Sequence, residues 1–70
     1  MQVTFNPNWT EPRIDKDITV YYNRLHGDID TSSIMIYRNG YDVTLAFETL
    51  DNLFPNLWDA LKSDILDNEN

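Results

Sequence analysis

Apolar and polar residues alternate in two stretches near the start of the chain. Val3 and Phe5 stand between Gln2, Thr4 and Asn6, which predicts a short strand over 2–6 at a sheet edge. Ile18, Val20 and Tyr22 alternate with Thr19, Tyr21 and Asn23, which predicts a strand over 17–25 with one apolar face. Pro7 and Pro12 bracket a segment that holds Trp9 and reads as irregular, because proline lacks the N–H that a central strand needs. His26-Gly27-Asp28-Ile29-Asp30 reads as a loop.

The next pattern predicts a hairpin. Residues 33–38 lead into Asn39-Gly40, and residues 41–47 lead out. Asn-Gly favours a type I′ turn, whose two central residues need positive φ. The implied register sets Arg38 opposite Tyr41, Ile36 opposite Val43 and Ile34 opposite Leu45. Ile34, Ile36, Val43, Leu45 and Phe47 then share an apolar face, and Met35, Tyr37, Asp42, Thr44 and Ala46 share the other.

After the hairpin the period changes. Leu50, Leu53, Phe54, Leu57, Trp58, Leu61 and Ile65 recur at helical spacing over four turns, with Thr49 or Asp51 placed to cap. Pro55 sits in the first turn of this helix, or a kink or short separate turn precedes it. Residues 67–70 are expected to fray. A one-faced sheet and a one-striped helix cover each other. The expected fold is therefore a two-layer α+β domain spanning residues 1–70. It has three or four antiparallel strands and one C-terminal helix packed on one sheet face.

Composition narrows the chemistry. The chain has 70 residues and no Cys, which excludes disulfides and thiolate zinc sites. The N-terminus lacks a basic segment followed by an apolar run, and no apolar stretch approaches the roughly 20 residues that span a bilayer. The expectation is a cytoplasmic protein with no membrane partner. His26, Asp28 and Asp30 suggest a metal loop, but counting from Asp28 puts Ser33 and Asn39 where a calcium loop needs Gly and Glu. One His, no Cys and no nucleophile elbow argue against catalysis, and no cofactor is implied.

Charge is the remaining signal. Twelve acids face five bases, for a net charge of −7. Residues 1–27 are balanced, whereas residues 28–70 hold nine acids against Arg38 and Lys62. That field disfavours direct nucleic-acid binding, which requires cations on phosphates. Asp42, Glu48, Asp51, Asp59, Asp64 and Asp67 are the candidates for an electronegative partner surface, and solubility is the plainer reason for the same charge. On one helix, Asp51, Asp59 and Asp67 recur about every 12 Å, winding around it. Tyr21, Met35 and Tyr37 fall on the sheet face opposite the helix. Trp9 folds over them, or they form a second candidate interface, or they are ordinary half-exposed strand residues.

A cysteine-free acidic chain of this size, with a small sheet, one helix and no catalytic constellation, resembles the small inhibitors encoded by bacteriophages, anti-restriction and anti-CRISPR proteins among them. Leu57-Trp-Asp-Ala-Leu61 also resembles a helix of barstar-type nuclease inhibitors, in a different element order. The resemblance implies a non-enzymatic protein that occupies the basic groove of a nucleic-acid-handling enzyme in the host cytoplasm. The alternative is a structural or assembly module, monomeric or joined as a homodimer through the Tyr21/Met35/Tyr37 face.

Overall fold

The computed structural model describes residues 1–69. Six strands and two helices follow in order: β1 (Gln2–Phe5), β2 (Trp9–Thr10), β3 (Arg13–Ile14), β4 (Ile18–Leu25), β5 (Asp28–Arg38), β6 (Tyr41–Asp42), α1 (Thr44–Leu53) and α2 (Leu57–Asn68). Strands β1, β4, β5 and β6 form one antiparallel sheet in that order, and β2 pairs with β3 in a separate two-stranded sheet. The fold is a small α+β domain in which both helices pack against one face of the larger sheet. No helix among the described residues is long and apolar enough to cross a membrane.

The alternation in β4 is realised as burial. Ile18, Val20 and Tyr22 are buried, while Tyr21 and Asn23 on the other face are exposed. Phe5 joins them from β1, Ile29, Ile34 and Ile36 from β5, and Phe47, Leu57, Leu61 and Ile65 from the helices. Ile29 and Ile34 are five residues apart, which in a regular strand would put them on opposite faces. A bulge restores the phase. Tyr21 pairs with Met35 and Asn23 with Asp30, so Tyr22 alone stands opposite residues 31–34. The bulge is written in short polar side chains. The Asp30 carboxylate accepts from the Ser32 amide and hydroxyl, and the Ser33 hydroxyl accepts from the Asn23 amide and donates to the Asp30 carbonyl.

The segment expected to be a loop at 26–30 is a tight hairpin instead. His26 and Gly27 have φ of 54° and 80°, Leu25 pairs with Asp28, and β5 begins at once. The segment between the two prolines is likewise more regular than expected. Its two short strands flank Glu11-Pro12, whose peptide bond is cis. The Trp9 ring stands 6.3 Å from that of Phe47, which places Trp9 on the helical side of the sheet.

The largest departure from the sequence pattern follows Asn39-Gly40. These residues have φ of 53° and 81°, and Arg38 pairs with Tyr41 and Tyr37 with Asp42. The returning strand then ends, and residues 44–53 are helical. Two groups replace the missing strand residues. The Val43 amide donates to the Ile36 carbonyl at 2.8 Å, and the Thr44 hydroxyl accepts from the Ile36 amide at 2.8 Å. The Asp42 carboxylate accepts from the Thr44 amide at 2.9 Å, so an acid sits at the positive end of α1. Of the expected pairs, Ile36–Val43 keeps only that one backbone hydrogen bond and Ile34–Leu45 does not form, and Leu45 is 74% exposed.

The expected single helix is two. Pro55 biases the preceding residue away from helical geometry. Phe54 accordingly has φ −129° and ψ 83°, and α1 closes with the Phe54 amide donating to the Leu50 carbonyl. Pro55 therefore lies in the break rather than in a first turn, and Leu53 turns outward, 71% exposed. The segment expected to fray is helical through Asn68. Glu69 is held by the Tyr22 hydroxyl at 2.5 Å and by an ion pair with Arg24, and Asn70 lies outside the described residues.

Leu45 and Phe47 separate the helix from the strand that alternation predicts. Leu45→Lys is expected to change the urea unfolding free energy by less than about 0.5 kcal/mol, as an ordinary surface change. Phe47→Ala is expected to lower it by about 3–5 kcal/mol. Equal losses at the two positions would contradict the helical assignment.

Candidate functional site

The sequence-predicted site residues fall in separate places. α1 turns Phe47 and Leu50 toward the sheet and leaves Glu48 and Asn52 exposed, with Asp51 partly covered. α2 turns Leu57, Leu61 and Ile65 inward, which leaves Asp59 exposed and Trp58 half-buried. Between these two outer surfaces and the bulge residues Thr31 and Ser32 lies an open groove of about 650 Å³. Glu48, Asp51 and Asp59 all line it, together with Trp58 and Lys62. The break at Phe54-Pro55 makes this gathering possible. It also removes the winding row expected of Asp51, Asp59 and Asp67, because Asp51 belongs to a different helix from the other two.

The electrostatics of the groove are lopsided. One oxygen of Asp51, Oδ1, is buried and has no hydrogen-bond partner. A buried carboxylate oxygen left unpaired is unfavourable, and a cationic donor would relieve it. Lys62 is the cation on the rim, but its ammonium reaches Asp28 at 3.2 Å. The Asp28 carboxyl lies below the usual aspartate value, held there by the Ile29 amide and then by Lys62. Three acids thus face one lysine that is already engaged. An added guanidinium would find carboxylates on either helix, with Trp58 among the lining residues.

The other candidates have different surroundings. Asp42 is committed to the start of α1, and the Thr44 amide lowers its carboxyl. Asp64 accepts from the Trp9 indole N–H at 2.8 Å, so it anchors the β2–β3 hairpin to α2. Burial pushes the Asp64 carboxyl up, Asp67 adds to this, and the Trp9 donor opposes it. Asp67 stays on the far part of α2, away from the groove. Tyr21, Met35 and Tyr37 come together on the opposite sheet face. Tyr21 and Met35 pair across strands, and the Tyr21 and Tyr37 rings meet edge-on at 5.5 Å. Trp9 does not cover them.

Sequence reasoning missed Thr31, Ser32, Trp58 and Lys62 as groove residues. The spacing of Val43, Phe47, Leu50 and Phe54 is a helical signal that competes with the alternation of Tyr41, Val43, Leu45 and Phe47. Reading it would have placed Glu48 on a helix and Asp51 on that same helix, ahead of the one that carries Asp59. Among the described residues, no three metal-ligating side chains converge. A further cluster lies between β4 and the end of α2, where burial pushes the Tyr22 phenol up to about 12, with Glu69 acting in the same direction. Glu69 is in turn held below the usual glutamate value by the Tyr22 donor and by Arg24. The sequence matches no protein-family model, no curated protein and no solved structure.

The raised Asp64 carboxyl has a definite sign in stability. The unfolded chain ionises Asp64 near pH 3.8 and the folded chain only at higher pH. Its contribution is therefore whole below pH 3.8 and declines as pH rises through the folded value. Asp64→Asn keeps an acceptor for Trp9 without the charge. Its urea midpoint is expected to rise relative to the parent as pH goes from below 3.8 to neutrality. A difference that does not change with pH would contradict this.

Proposed function

We propose that this chain is a non-enzymatic binding protein that inhibits a nucleic-acid-handling enzyme, such as a CRISPR effector or restriction nuclease, by presenting its acidic surface to that enzyme's basic groove. The observation that carries the reading is the groove lined by Glu48, Asp51 and Asp59, with one Asp51 oxygen buried and unpartnered. An arginine or lysine that normally holds a phosphate would enter between α1 and α2, pair with the carboxylates there, and be lost to the enzyme's substrate. The −7 net charge would speed the encounter by steering. The site of action would be the cytoplasm, that of the host if the chain is phage-encoded.

A second reading, an assembly module, is favoured by the sheet face left uncovered. Tyr21 and Met35 are 42% and 44% exposed there, and a second copy could cover them. Sedimentation over a range of concentration separates the two, because the dimer reading requires a mass that rises with concentration.

Recovery of the target from the native host by pull-down and mass spectrometry opens the decisive measurement. Association with that target is expected to slow roughly tenfold or more from about 0.05 to 0.5 M salt. Asp59→Lys is expected to slow it more than Asp67→Lys, since only Asp59 lines the groove. An association rate indifferent to salt and to both reversals would sink the proposal.

A further inference from the structure

The cations of this acidic chain are not scattered. Two of the five form ion pairs, Arg24 with Glu69 and Lys62 with Asp28. The other three, Arg13, Lys16 and Arg38, have no ion-pair partner among the described residues, and all three line one cleft of about 550 Å³. They arrive from different elements: Arg13 from β3, Lys16 from the turn after it, and Arg38 from the end of β5. The fold, not the sequence, brings them together.

Beneath these cations the cleft is apolar. Ile14, Val43 and Leu50 are each half-buried and keep part of their surface toward it, and Phe47 closes it from within. Asp15 shares the rim, with Oδ1 accepting from the Asn6 side chain at 3.0 Å. A shallower neighbouring hollow repeats Lys16 and Arg38 and adds Asp17. Even with both acids counted, the rim is positive on a chain whose net charge is −7. An anion is repelled over most of this surface and attracted here.

We infer that this cleft is a binding site for a small amphipathic anion, a carboxylate or phosphate head carried on an aliphatic or aromatic body. The guanidinium groups of Arg13 and Arg38 match either head in a two-pronged hydrogen-bonding geometry, with Lys16 adding a point charge. The apolar walls take the body, whose removal from water favours binding. The volume falls within the range of about 300–1,000 Å³ usual for small-ligand sites. The site is separate from the acidic groove, with which it shares no lining residue.

Calorimetry with decanoate and with decyl phosphate, each below its micelle threshold, tests the inference and tells the two heads apart. At least one is expected to bind with one molecule per chain and to shift the backbone amide resonances of Ile14, Val43 and Ala46. The double variant Arg13→Gln/Arg38→Gln changes only exposed side chains and is expected to weaken binding at least tenfold. Ala46→Trp, which fills the cleft, is expected to abolish it, and Lys62→Gln to leave it unchanged. Binding of decanol as tight as that of both anions would overturn the inference. So would undiminished binding by the double variant, resonance shifts that leave Ile14, Val43 and Ala46 unmoved, or no binding of either anion to a chain with native circular dichroism.

Discussion

The helical side of this molecule depends on one handover, where Thr44 takes over from the sheet. Its hydroxyl accepts the Ile36 amide while the Val43 amide supplies the Ile36 carbonyl. The outer edge of β5 is satisfied at that point by a side chain and one amide, so β6 needs only two residues. A buried edge would otherwise leave backbone groups unpaired, which folded proteins avoid. With the edge closed at Thr44, the chain is free to turn, and the Asp42 carboxylate at the helix start favours the turn. Had the strand run on to Phe47, α1 could not have formed over residues 44–53. No groove would then lie between two helices.

A second constraint acts through Pro55. It holds Phe54 out of the helical region and divides one continuous apolar stripe into two short helices. That division brings Asp51 on α1 and Asp59 on α2 to opposite walls of a groove instead of spacing them along one rod. The bulge in β5 completes the wall with Thr31 and Ser32, because it returns Ile29 to the core face and lifts the residues between out of the ladder. Charge is sorted by the same architecture. Glu48 and Asp51 of α1 and Asp59 of α2 collect beside the bulge, and Arg13, Lys16 and Arg38 collect at the opposite end of β5 around the start of α1.

Much of the fold was legible in the residues. Alternation in β1 and β4 and helical spacing from Leu57 to Ile65 identified strands and a helix, because each pattern has one period and one consistent apolar face. Tyr21, Met35 and Tyr37 were placed on a shared face by parity alone. Residues 41–47 were not legible in the same way. They satisfy a strand period through Tyr41, Val43, Leu45 and Phe47, and a helical one through Val43, Phe47, Leu50 and Phe54. Leu45 separates the two, and only its exposure shows which period the chain follows. His26-Gly27 was missed as a turn because histidine is an uncommon residue at the first positive-φ position of such a hairpin.

The sequence by itself determined the class of fold, the acidic character and the lack of cysteine chemistry, since these follow from composition and local period. Tertiary structure decided which charges matter. Asp64 is drawn to Trp9 across 55 residues of chain, Asp42 is spent on a helix start, and Glu69 is locked to Tyr22 and Arg24. Glu48 and Asp51 on α1 and Asp59 on α2 are left lining one groove. No local pattern encodes that partition. Whether an exposed-looking acid is free or engaged depends on donors that only the folded chain brings within hydrogen-bonding distance.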